Sequence, residues 1–153
     1  MRELDKIDRQ ILNELQIDAT RSLKELSERV SCSIATCQRR IQSLVDDGII
    51  LKQVALVAPA TVGRQISVFV MIELEKHSIY DQERFEHKMR AEPDVMSCYE
   101  ISGDYDFLLL VHAVDMPTYH AFTRRALNSE YNVRSFKSQF VMNFTKAESK
   151  ITL

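Results

Sequence analysis

Gln38 and Arg39 sit in the middle of a helical pattern whose outward positions are Ser33, Ala35, Thr36, Gln38, Arg39, Gln42 and Ser43, with Arg40 at its boundary. Arginine donates two parallel hydrogen bonds to guanine, glutamine pairs with adenine, and small or hydroxyl side chains let a helix approach base edges and phosphates. No acid interrupts the set before Asp46 and Asp47. The chemistry on offer is therefore groove recognition of double-stranded DNA. A polar helix face with two arginines is more often merely solvated, so the elements around it must decide.

Leu23, Leu26 and Val30 mark one apolar stripe, and Ile34, Cys37, Ile41 and Leu44 mark a second, both at helical spacing. Ser22 followed by Glu25 has the capping-box pattern, and Ser22 joins the residues expected to face DNA. Ser33 is placed to cap the second helix after a turn at Ser31-Cys32, a connection too short for a hairpin of independent helices. Leu4, Ile7, Ile11 and Leu15 follow the possible cap Asp5 and supply a third helix against which the pair buries its apolar faces. The expected result is a three-helix helix-turn-helix unit, and the tight turn is what favours DNA over plain solvation.

Composition bounds the rest. The 153 residues carry 20 Lys plus Arg against 22 Asp plus Glu, and residues 1–60 hold nine of each sign. One copy of so neutral a module attracts phosphate weakly, which argues for an oligomer presenting two recognition helices about 34 Å apart to a two-fold symmetric site. An apolar content of 45% is that of a core-forming protein. No apolar run approaches the ~20 residues of a membrane span and MRELDKIDR is no secretory signal, so a cytoplasmic location without membrane contact is expected. Cys32, Cys37 and Cys98 are odd in number and lack paired metal-ligand spacing; buried reduced thiols are expected, with no disulfide, metal or cofactor.

After Gly48 the period changes. Ile49 to Ala58 is rich in Ile, Leu and Val and stops at Pro59, which predicts a connector strand able to pair with its counterpart in a second subunit. The boundary falls near Pro59 to Arg64, giving a DNA-binding domain with connector over 1–60 and a second domain over 61–153. There, Ile66, Val68, Val70, Ile72 and Leu74 alternate along a strand. A helix carrying Phe85 and Met89, a turn at Glu92-Pro93-Asp94 and a strand from Val95 to Ser102 come next. Gly103 to Asp106 makes a turn into Phe107–Val111, apolar on both faces. Asp115 and Pro117 open a helix with Tyr119, Phe122 and Ala126 inward, and Phe136, Phe140, Met142 and Phe144 alternate in a last strand. The order βαββαβ is that of a ferredoxin-like sandwich, so the whole chain is α+β. Its sheet would leave Phe69 and Met71 uncovered, and a homodimer packing sheet on sheet is the economical solution.

Together these residues resemble the leucine-responsive regulator/AsnC family of transcription factors over nearly the whole length. The matching positions are Leu4-Asp5, Ile7-Asp8-Arg9, Ile11-Leu12, Leu26, Val30, Ser33, Cys37, Arg40, Leu44, Gly48 and Ile49, then Cys98-Tyr99, Gly103-Asp104-Tyr105-Asp106-Phe107-Leu108-Leu109 and the strand Val133 to Val141. The resemblance implies a winged-helix or helix-turn-helix domain joined to a ferredoxin-like amino-acid-sensing domain, dimerising by sheet packing and often forming an octamer of four dimers. It places the effector, a free amino acid, at contacts between dimers near Gly103, Asp104, Tyr105 and Asp106 and the last strand. Asp104 or Asp106 can pair with an ammonium, while loop N–H groups and the hydroxyls of Ser135 or Ser138 can bind a carboxylate. Plain turn chemistry would also select Gly and Asp here. Leucine or methionine is favoured because the neighbouring strands are apolar. The chain departs from the family pattern at Ser31, where Gly is common, at Ile34, where Pro often begins the helix, at Thr20, where Arg is frequent, and at Met142–Lys146, in place of a more acidic pattern.

The expected activity is sequence-specific transcription regulation by an amino-acid-responsive, non-enzymatic protein. Two alternatives stand beside it. A decarboxylase of the haem pathway reuses this architecture, but His77, His87, His112 and His120 are scattered without catalytic or metal spacing. A nucleoid-organising protein would bind DNA with little sequence preference.

Overall fold

The computed structural model describes residues 3–153 and divides into two compact units. The first comprises residues 3–56 with Lys146–Leu153, the second Val57–Thr145.

In the first unit each helix begins at a side-chain cap. Asp5 opens α1 (Lys6–Ile17) by accepting from the Asp8 N–H at 2.9 Å, while the Asp8 carboxylate accepts from the Asp5 N–H at 3.4 Å. Ser22 and Glu25 make the reciprocal box at α2 (Leu23–Arg29), and Ser33 accepts from the Thr36 N–H at the start of α3 (Ile34–Asp46). Such a cap is worth about 1 kcal/mol. Ser31 takes the left-handed conformation, φ 53°, and this reverses the chain between α2 and α3 at a cost of roughly 1–2 kcal/mol for a residue other than glycine. Ile11, Leu12, Leu26, Val30, Cys37 and Leu44 are buried together, with Leu4, Ile7, Leu15, Leu23 and Ile41 packed around them. Ile34, expected on this stripe, stays 47% exposed.

Gly48, φ 69°, ends α3, and Ile49 and Ile50 fold back so that both N–H groups donate to the Leu44 carbonyl. Neither a wing nor the strand expected over Ile49–Ala58 forms among the described residues: 51–58 has no regular structure, and Leu51 is 87% exposed. An extended segment becomes a strand only when a neighbour accepts and donates its backbone hydrogen bonds, and this chain supplies none there. The tail Lys146–Leu153 clusters with this unit although it follows the other in sequence. The Gln16 amide donates to the Ile151 carbonyl at 2.9 Å and accepts from its N–H at 2.7 Å.

The second unit is the βαββαβ sandwich. Its elements are β1 (Ile66–Leu74), α4 (Ile79–Ala91), β2 (Val95–Glu100), β3 (Phe107–Ala113), α5 (Met116–Ala126) and β4 (Val133–Phe140), in an antiparallel sheet of order β2-β3-β1-β4. Pro117 in the first turn and Asp115 as cap open α5 as expected. Val68, Val70, Ile72 and Leu74 alternate into a core with Phe85 and Met89 of α4, Phe107, Leu109 and Val111 of β3, and Tyr119, Phe122 and Ala126 of α5. Deleting one such side chain to alanine costs about 2–5 kcal/mol. The buried carboxylates Glu92 and Asp94 are neutralised where they lie: Arg125 reaches Glu92 at 2.6 Å and Asp94 at 3.3 Å, Lys88 reaches Glu92 at 2.6 Å, and Arg64 pairs with Asp94. The last strand stops at Phe140, leaving Met142 and Phe144, expected within it, outside.

Candidate nucleic-acid interface and effector loop

The capped start of α3 fixes which side chains its outer face presents. Ala35, Gln38, Arg39, Gln42, Ser43 and Asp46 line one open hollow on that face. Among the described residues, Gln38 and Arg39 are exposed with no hydrogen-bond or ion-pair partner, so their donors stand ready for base edges. Gln42 donates to Asp46 at 2.8 Å and Ser43 to Asp47 at 3.3 Å, which draws the acids at the helix end toward the same face. Ser22 and Ser33 are exposed caps, and Thr36 shares a 2.8 Å hydrogen bond with the Ser33 hydroxyl.

Arg40 has a different task. Its Nη1 donates to Asp5 at 2.6 Å and to Asp8 at 2.8 Å, tying α3 to the capping box of α1. The hydrogen bonds it donates to Asp8 and Asp5 hold its pKa above the ordinary arginine value. Asp8 itself is 1% exposed. Through Nη1, then, Arg40 holds α3 against the start of α1. The exposed Ile34 beside Ala35 offers instead an apolar contact suited to a thymine methyl; sequence periodicity hid it by placing it on the core stripe.

The effector residues are brought together only in part. Gly103, φ 124°, and Asp104 are exposed, while Tyr105 and Asp106 are partly buried. Asp106 is already occupied: it accepts from the Leu74 N–H at 2.7 Å, and its other oxygen lies 3.3 Å from His77 Nδ1. Ser135, paired in register with Glu73, donates to the Glu73 carboxylate at 2.7 Å, so it lies near the same end of β1 as Asp106. Ser138 does not join them. Its register partner Val70 points into the core, and its hydroxyl shares a 2.6 Å hydrogen bond with Tyr119 OH, on the opposite side of the sheet from Ser135. Sequence reasoning missed Glu73 and His77, although the alternation along β1 already turned Glu73 outward.

On the face of the sheet away from α4 and α5, the registers align Phe69 with Leu110 and Met71 with Leu108, with Tyr99 beside Leu108. Phe69 and Tyr99 are 37% and 56% exposed. Among the described residues, no group of three or more His, Cys, Asp or Glu is placed to hold a metal, and no helix is long and apolar enough to cross a membrane.

Residues 4–45 match the AsnC-type helix-turn-helix domain, and residues 67–151 match the Lrp/AsnC ligand binding domain. The chain belongs to the Lrp/AsnC family of transcription regulators. Over its full length it is 65% identical to an uncharacterised HTH-type transcriptional regulator of Haemophilus influenzae, covering 91% of that protein. The DNA-binding transcriptional activator DecR of Escherichia coli is 35% identical, with 98% of this chain and 99% of DecR aligned. A transcriptional regulator of Neisseria meningitidis solved in complex with L-methionine superposes with a TM-score of 0.92 at 33% identity, covering 97% of this chain and 96% of that one. Within the Lrp/AsnC family the three-helix unit is the DNA-binding module and the sandwich the ligand-binding one, which matches the division of exposed chemistry described above.

Proposed function

We propose that dimers of this chain read two-fold symmetric operators through Gln38 and Arg39, with Ser22, Ser33, Ala35, Thr36, Gln42 and Ser43 in support, and that a free apolar amino acid controls them by binding near Gly103, Asp104, Tyr105 and Ser135. Residues 1–60 carry the reading and 61–153 the sensing and assembly. The carrying observation is the outer face of α3, where Gln38 and Arg39 have donors without partners while Arg40 anchors the helix from behind. Near neutrality, 20 basic against 22 acidic residues, supports repeated copies, and the apolar face bearing Phe69, Met71 and Leu108 supports dimers packed sheet to sheet; membership of the family adds the octamer of four dimers to the proposal. Methionine bound by the Neisseria relative and the apolar strands beside the loop favour methionine or leucine as the effector. Such a protein acts in the cytoplasm and by binding, not turnover: an effector shifts it only as far as its affinity differs between two assembly states.

A duplex selected from a random-sequence pool tests the reader. Gln38→Ala combined with Arg39→Ala is expected to lower affinity for that duplex at least tenfold while the melting temperature stays put; a folded double variant that binds as before overturns the assignment. A thermal-shift screen of the twenty amino acids tests the sensor, since a ligand at a hundred times its dissociation constant stabilises by about 2.7 kcal/mol. No shift with leucine or methionine would remove both.

A further inference from the structure

The turn that sets the recognition helix contains a pair of thiols that DNA reading does not use. Cys32 Sγ and Cys37 Sγ lie 3.1 Å apart, the first partly exposed in the turn after α2, the second wholly buried on the inner side of α3. Nothing else in the packing requires two sulfurs to meet. A small apolar side chain at either position would fill the same core. We propose that Cys32 and Cys37 are a dithiol that a low-molecular-weight disulfide oxidises to an intramolecular disulfide, and that closing it displaces the start of α3.

The asymmetry of the pair assigns the roles. Burial, and then the hydrogen bond with Cys32, push the Cys37 thiol up to about 11, so the partly exposed Cys32 meets the oxidant. Cys32 loses its proton to water and attacks one sulfur of the disulfide RSSR. The S–S bond breaks, RS⁻ leaves and takes up a proton, and a mixed disulfide remains on Cys32. The sulfur of Cys37 then attacks the Cys32 sulfur, its proton passing to the second departing RS⁻. Two protein thiols are oxidised by two electrons and one RSSR is reduced to two RSH. The sulfurs must approach by about 1 Å to reach bonding distance. The segment between them is short and holds the cap Ser33 with its bond to the Thr36 N–H, and Cys37 N donates to the Ser33 carbonyl as the helix's first backbone bond at 2.9 Å. The movement therefore falls on Ser33 to Thr36, so its effect on affinity rests on the DNA reading above, whereas the disulfide itself does not.

Oxidised glutathione serves as probe on the full chain. Intact mass is expected to fall by about 2 Da, with one bridge joining Cys32 and Cys37, in both the wild type and Cys98→Ser. In Cys37→Ser the glutathione adduct should stay trapped on Cys32, and Cys32→Ser should not react within the turn. A stable adduct on wild-type Cys32, no reaction in the turn, or a bridge through Cys98 each overturns the dithiol. In the second arm, the duplex selected by reduced protein should bind the oxidised form at least tenfold more weakly, with recovery on reduction and no change for Cys32→Ser. Equal affinity of both forms overturns the switch while leaving the disulfide standing. Failure of the reduced protein to select any duplex overturns the DNA reading and the coupling with it.

Discussion

Arg39 and Arg40 are consecutive residues of one helix with opposite fates, and the same contrast separates the two candidate surfaces of the molecule. On the outer face of α3 the helix is held from behind by Arg40, Asp5 and Asp8, so Gln38 and Arg39 can remain unpartnered in front. At the Gly103–Asp106 loop the order is reversed: Asp106 is already engaged with the Leu74 N–H and His77, while Gly103 and Asp104 are exposed and Tyr105 partly so. A recognition surface needs both kinds of residue, those that hold and those that offer. Adjacency in sequence does not say which is which.

The contrast can be broken most severely at Arg40. Arg40→Ala removes the guanidinium that ties α3 to Asp5 and the buried Asp8 and is expected to lower stability in urea unfolding by about 1–3 kcal/mol, whereas Arg39→Ala should stay within about 0.5 kcal/mol of wild type. Equal losses for the two would erase the distinction. At the loop, Asp106→Ala removes the acceptor of the Leu74 N–H and should cost about 2 kcal/mol, while Asp104→Ala should leave the melting temperature unchanged and weaken amino-acid binding alone.

A third comparison uses acid. Glu92 is buried, which by itself would raise its pKa, yet the hydrogen bonds from Arg125 and Lys88 prevail and hold the carboxyl below its ordinary value of 4.5. A depressed folded pKa means that the stabilisation is present above 4.5 and is lost as pH falls through the folded value. Acid unfolding of the sandwich should therefore be less steep in Glu92→Gln than in wild type; identical pH profiles would deny Glu92 this part. The smallest effect belongs to the turn. Ser31→Gly relieves the left-handed serine at the cost of a freer unfolded chain, and a net gain of about 0.5 kcal/mol is expected from thermal unfolding. A loss would mean that the serine side chain contributes something beyond its backbone.

Local chemistry was the legible part. Asp5, Ser22, Ser33 and Asp115 cap the helices they were expected to cap, because a cap involves residues only three apart and a side chain chosen for that geometry. The alternation of β1 and the inward faces of α4 and α5 followed from periodicity for the same reason. The connector over Ile49–Ala58 forms no strand within one chain because a strand requires a partner, and composition carries no record of where that partner is. Ser135 and Ser138 look interchangeable in sequence, but an odd separation along β4 sends them to opposite faces.

The sequence by itself determined the five helices, the alternation of β1, the βαββαβ order of the second unit and the polar outer face of α3, since each depends on spacings of two to four residues. Tertiary structure alone decided that Arg40 clamps and Arg39 offers, that Asp106 is committed to its own fold, and that Cys32 meets Cys37. Those outcomes depend on groups drawn from separate elements to within hydrogen-bonding distance, and that proximity exists only once the cores have packed.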